Sequence, residues 1–70
     1  MEFKEEICDS LCETLRKTRK YSDLVSLVYQ EFFENDDEIV TATFTNGSKK
    51  VIDVTMDSGY AMIRDIIENL

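Results

Sequence analysis

Ile39-Val-Thr-Ala-Thr-Phe44 and Lys50-Val-Ile-Asp-Val-Thr-Met56, joined through Thr45-Asn-Gly-Ser-Lys49, form the segment on which the fold turns. Val40, Ala42 and Phe44 alternate with Thr41, Thr43 and Thr45, and Ile52, Val54 and Met56 alternate with Val51, Asp53 and Thr55. Period-two alternation around Asn46-Gly47 predicts a β-hairpin. Its register follows from burial. A two-residue turn at Asn46-Gly47 pairs Val40 with Asp53 and sends the two apolar sets to opposite faces. A three-residue loop, Thr45-Asn46-Gly47 with Gly47 left-handed, pairs Val40 with Ile52 and Phe44 with Ser48, so both sets share one face. Burying one whole face outweighs a preference among turns, so the second register is expected. The opposite face then carries Ile39, Thr41, Thr43, Val51 and Thr55. A hairpin with open edges and such a face is equipped to pair with a copy of itself or with a partner.

Beyond Met56, Asp57 or Ser58 offers a cap for a C-terminal helix. Its predicted buried stripe is Tyr60, Ile63, Ile66, Ile67 and Leu70, with Met62 at the margin and Arg64 and Glu68 as an exposed pair. Before the hairpin, Asn35-Asp36-Asp37 is a turn cluster. From Asp23 to Glu34 the apolar residues Leu24, Val25, Leu27, Val28, Tyr29, Phe32 and Phe33 read as a helix apolar over more than half its circumference. Phe3, Ile7, Leu11 and Leu15 recur every four residues beside Cys8 and Cys12, which predicts a first helix from Glu2 to about Lys17. Ser22 and Asp23 would cap the second helix, unless the two are one bent helix. The expected fold is one small α+β domain over residues 1–70: two N-terminal helices, a β-hairpin and a C-terminal helix, ααββα.

Seventy residues bury a modest core, and domains of this size usually rely on a disulfide, a metal or a partner subunit. Two cysteines four apart on a helix are poorly placed for a disulfide, and the chain has no histidine, so zinc is a poor fit. Self-association is the staple that remains, and a homo-oligomer is expected. Unpaired cysteines, an acidic N-terminus without an apolar leader and no long apolar run point to a cytoplasmic protein, with neither membrane insertion nor a cofactor.

The net charge is −7 and unevenly placed, at −4 over residues 1–15, +4 over 16–20, −6 over 21–38 and −1 over 39–70. An acidic surface disfavours duplex nucleic acid and favours a basic partner. Without histidine, Ser-His-Asp and Cys-His catalysis are excluded within the chain, and with no phosphate loop or metal set an enzyme is not expected. Cys8 and Cys12 read as small buried hydrophobes rather than a redox pair. The acidic run through Glu31, Glu34, Asp36, Asp37 and Glu38 lacks the spacing and glycine of a calcium loop, and is the candidate surface for a protein partner. Arg16, Lys17, Arg19 and Lys20 beside Tyr21 are the alternative site, able to grip an anionic nucleotide; charge complementing a helix C-terminus also accounts for them. Asp57-Ser58-Gly59 opens a helix, but Asp57 would repel an anion there.

The string from Ile39 through Asn46-Gly47 to Met56, continued by Asp57-Ser-Gly-Tyr-Ala-Met-Ile-Arg64, resembles small acidic proteins encoded by phages and prophages of Firmicutes. The resemblance covers only the C-terminal half. Many such proteins are accessory or anti-defence factors that bind a host protein, or sequester a nucleotide signal in an oligomer. It implies a non-enzymatic binding protein of the host cytoplasm and assigns no binding residue.

Overall fold

A computed structural model describes residues 3–70. The element order is α1 (Lys4–Arg16), β1 (Leu24–Phe32), β2 (Asp37–Phe44), β3 (Lys49–Asp53) and α2 (Gly59–Asn69). The strands form an antiparallel sheet in the order β1-β2-β3. The α+β class stands, but the order is αβββα with one N-terminal helix.

The segment expected as a second helix is a strand, and a β-bulge explains the misreading. Leu24 pairs with Phe44 and Ser26 with Thr43, so Val25 is an extra residue in the ladder. The insertion flips the alternation once and puts Leu24 and Leu27, three residues apart, on the same buried face. That i,i+3 spacing is what imitated a helix. Beyond the bulge the period is two. Leu27 and Tyr29 face inward, whereas Val28 and Phe32 face out and are about half exposed. The β-branched and aromatic residues of this stretch suit a strand.

The β2–β3 hairpin has the expected register, with Val40 opposite Ile52. Gly47 lies at φ 85°, and its N–H donates to the carbonyl of Phe44 at 2.9 Å. The Phe44 N–H donates to the carbonyl of Ser48 at 3.0 Å, closing the three-residue loop.

Both helices cover one face of the sheet, α1 over β1 and α2 beside β3. The core comprises Cys8 and Cys12 from α1, Leu24 and Leu27 from β1, Val40 and Ala42 from β2, Ile52 and Val54 from β3 and its end, and Met62 and Ile66 from α2. The cysteines are free and buried, and they form the centre of α1's packed face, while Ile7, Leu11 and Leu15 flank it. Burial first, then the charge of Asp9, pushes the Cys8 thiol up to about 11. The Cys12 thiol donates to the Val25 carbonyl at 3.7 Å, so α1 touches the bulge directly. In α2 the buried stripe is Gly59, Met62 and Ile66, rotated from the expected one, and Tyr60 and Ile67 face outward. Ser58 is the cap, its Oγ accepting from the Ala61 N–H at 3.1 Å. Arg64 lies 4.0 Å from Asp65 instead of pairing with Glu68.

Candidate functional site

Because 24–32 is a strand, the acidic run does not sit on a helix end. It forms the tip of a second hairpin. Phe32 pairs with Asp37, residues 33–36 turn the chain, and Asp36 takes the left-handed conformation at φ 56°. Four residues without glycine make this turn, and Phe33 stands 81% exposed at its crest with Phe32 44% exposed behind it. Glu31, Glu34, Asp36 and Asp37 are all exposed at this end of the hairpin. A shallow groove follows Glu31, Phe32, Phe33, Glu34 and Asn35, and a second one joins Glu31 and Tyr29 to Phe3, Glu5 and Glu6 at the start of α1. The acidic surface thus extends onto α1, which spacing along the chain could not show.

Glu38, expected in the same surface, is placed differently. It turns inward, and its side chain is 14% exposed. Its Oε2 accepts from Lys4 Nζ at 2.5 Å and from the Tyr29 hydroxyl at 2.6 Å, and its Oε1 accepts from the Met56 N–H at 3.1 Å. Its backbone is bound as well: the N–H donates to Thr55 Oγ1 at 3.0 Å and the carbonyl accepts from Val54 N–H at 3.0 Å. One carboxylate therefore ties α1, β1, β2 and the segment after β3 together. Lys4 and Tyr29, in that order, hold the Glu38 carboxyl below its ordinary range. Burial and the bond to Glu38 raise the Tyr29 phenol in turn. Glu38 also stands directly across the ladder from Glu31, a like-charge pairing that Lys4 relieves.

The basic run lies at the opposite end of the sheet. Arg16 closes α1, and residues 17–23 turn back into β1 through Thr18, whose hydroxyl donates to Leu15 O at 2.6 Å and accepts from the Tyr21 N–H at 3.3 Å. Lys20 Nζ sits 5.3 Å from the centre of the Tyr21 ring. Lys20 and Tyr21 line a groove with Lys50, Phe44 and Leu70, whereas Arg16, Lys17 and Arg19 are exposed outside it. Lys50 is the addition that sequence adjacency missed; strand register supplies it. With Lys49 beside it, six of the chain's eight cations gather at this end, and Lys4 and Arg64 are the other two.

Among the described residues, no three Cys, Asp or Glu side chains come together as a metal site, and no helix is long and apolar enough to cross a membrane. No family model, curated protein or solved structure matches the chain.

Proposed function

We propose that this chain is a binding protein without catalysis of its own, an accessory or inhibitory factor of the phage type that its C-terminal half resembles. It engages a basic host protein through the β1–β2 tip. The observation that carries this reading is Phe33, 81% exposed in the turn, with Glu31, Glu34, Asp36 and Asp37 exposed in the same hairpin end. An aromatic anchor supplies contact area, and the surrounding carboxylates steer a cationic surface onto it. Glu38 belongs to the scaffold of this site and not to its contact surface.

The test compares the wild type with F33S/D36K/D37K and with R16E/R19E/K20E as baits in an extract of the host cell, after both variants are shown to fold by circular dichroism. The expected result is a protein retained by the wild type and the basic-end variant, lost by the tip variant, and weakened by salt. Retention by the tip variant together with loss by the basic-end variant overturns the assignment.

The second reading, sequestration of an anionic nucleotide in an oligomer, is favoured by one specific observation: Lys20, Tyr21 and Lys50 share a groove. On that reading nucleotides raise the melting temperature of the wild type in a concentration-dependent way and leave that of R16E/R19E/K20E unchanged.

A further inference from the structure

We propose that the bare face of the sheet is a self-docking surface. Two copies pack face to face about a two-fold axis that crosses the Val28–Thr41–Val51 row, with Lys49 of each copy opposite Asp53 of the other.

The face is uncovered because α1 and α2 both lie on the other side. The ladder pairings lay it out in rows. Val28, Thr41 and Val51 form the central row, flanked on one side by Ser26, Thr43 and Lys49 and on the other by Gln30, Ile39 and Asp53. The central row carries no charge, and its two valines are 48% and 65% exposed. The flanking rows carry opposite charges, both on β3. Lys49 makes no hydrogen bond or ion pair among the described residues, and Asp53 uses one oxygen to accept from the Thr55 N–H at 2.9 Å.

Face-to-face packing of identical sheets requires a two-fold axis lying between them. An axis along the strands sets Lys49 opposite Ser26 and Asp53 opposite Gln30, which pairs no charge. An axis across the strands, through the central row, exchanges the flanking rows. It brings Val28 onto Val28, Val51 onto Val51, and Lys49 onto Asp53 twice. Only the second arrangement satisfies both the apolar row and the charges. Three strands about 4.8 Å apart and five residues deep give a patch of roughly 250–300 Å² in projection. That is well under the roughly 800 Å² per partner of a standard interface, so the dimer is weak and concentration-dependent. It adds a second apolar layer to a small core. The turn at residues 33–36 and the groove of Lys20, Tyr21 and Lys50 lie outside this patch, and of the basic end only Lys49 takes part, so the inference stands independently of the function proposed above.

The test uses the full chain in sedimentation velocity and native mass spectrometry over a concentration series. The wild type is expected to shift from monomer to dimer. V51K is expected to weaken the dimer roughly 100-fold or more, K49D about 10-fold, and K49D/D53K to recover most of that loss. I67K, on the exposed side of α2, should leave it unchanged. Crosslinking is the second measurement. V28C and V51C, each alone, should be joined to a second copy by a bis-maleimide about 8–10 Å long, the spacing of packed sheets. The wild type, with Cys8 and Cys12 buried, should not. A wild type that stays monomeric up to about 1 mM overturns the proposal. So does a dimer that only one of the two cysteine variants can trap: pairing through the β1 edge traps V28C alone, and pairing through the β3 edge traps V51C alone.

Discussion

The two turns at the ends of β2 solve the same geometric problem with different residues. At residues 45–47 the chain uses Asn46 and Gly47. The left-handed position falls to glycine at φ 85°, the Asn46 side chain accepts from the Ser48 N–H at 2.9 Å, and no large apolar residue sits in the loop. At residues 33–36 the left-handed position falls to Asp36, the crest to Phe33, and four exposed carboxylates crowd the same tip. A left-handed aspartate, an exposed ring and mutual repulsion each cost stability. The first turn reverses the chain at low cost. The second breaks the local rules and is held by Glu38 behind it, the pattern expected where a surface is kept for binding.

The largest test of that contrast is Glu38→Ala. Losing the carboxylate strands a half-buried lysine and a tyrosine hydroxyl, and should cost about 2–3 kcal/mol in urea unfolding. Glu34→Ala and Asp37→Ala, a few residues away, should stay within about 0.5 kcal/mol. A neutral Glu38→Ala would mean the tip is held by something other than this carboxylate.

Gly47→Ala comes next. A Cβ built there meets nothing within 4 Å, so only the left-handed backbone is strained. The expected cost is about 1–2 kcal/mol with no effect on binding. A larger loss would show that this turn also carries packing. The reciprocal change, Asp36→Gly, should stabilise by up to about 1 kcal/mol, raising the melting temperature by roughly 4–8 °C. It should also weaken partner binding, since it removes a charge and loosens the crest. A gain in stability without any loss of binding would take Asp36 out of the contact surface.

The two ends also differ in how far sequence alone revealed them. The 45–47 turn and its register were legible because Asn-Gly, strict alternation and one-face burial agree from Val40 to Ile52. The 33–36 tip was not, because the bulge at Val25 gave Leu24 and Leu27 a helical spacing, and Val28 and Phe32 on the bare face erased the alternation. What could have exposed the strand is its content of Val25, Val28, Tyr29 and Phe32, four β-branched or aromatic residues among nine. The acidic residues of the candidate site were legible as a cluster, but Glu38 was not separable from Asp37. Only the pleat decides that one points to Lys4 and its neighbour to solvent. Lys50 was likewise invisible as a companion of Lys20, because strand pairing, not chain proximity, joins them.

The smallest effect concerns a second carboxylate near the same end, and it carries the opposite sign to Glu38. Asp57 follows Met56, the residue whose N–H binds Glu38. Its Oδ2 is buried and, as a carboxylate, accepts no hydrogen bond. Protonated, it becomes a donor to Asp65; that hydrogen bond first, and burial second, raise its pKa from the ordinary 3.8. A raised carboxyl contributes stability that is fully present below pH 3.8 and is lost as pH climbs through the folded-state value. Glu38 is lowered, so its contribution is present above the ordinary 4.5 and is lost as pH falls through its folded-state value. Asp57→Asn supplies the donor at every pH. It should stabilise the protein by about 0.5–1 kcal/mol at neutral pH, and the advantage should shrink toward zero as acid protonates the wild type. Glu38→Gln should do the reverse, with its deficit largest at neutral pH and narrowing in acid. Urea unfolding of the three proteins at pH steps from neutral to acid separates the two slopes. An advantage for Asp57→Asn that does not change with pH would mean that Asp57 and Asp65 share no proton in the fold, and would leave Glu38 as the carboxylate that sets the acid response at the tip.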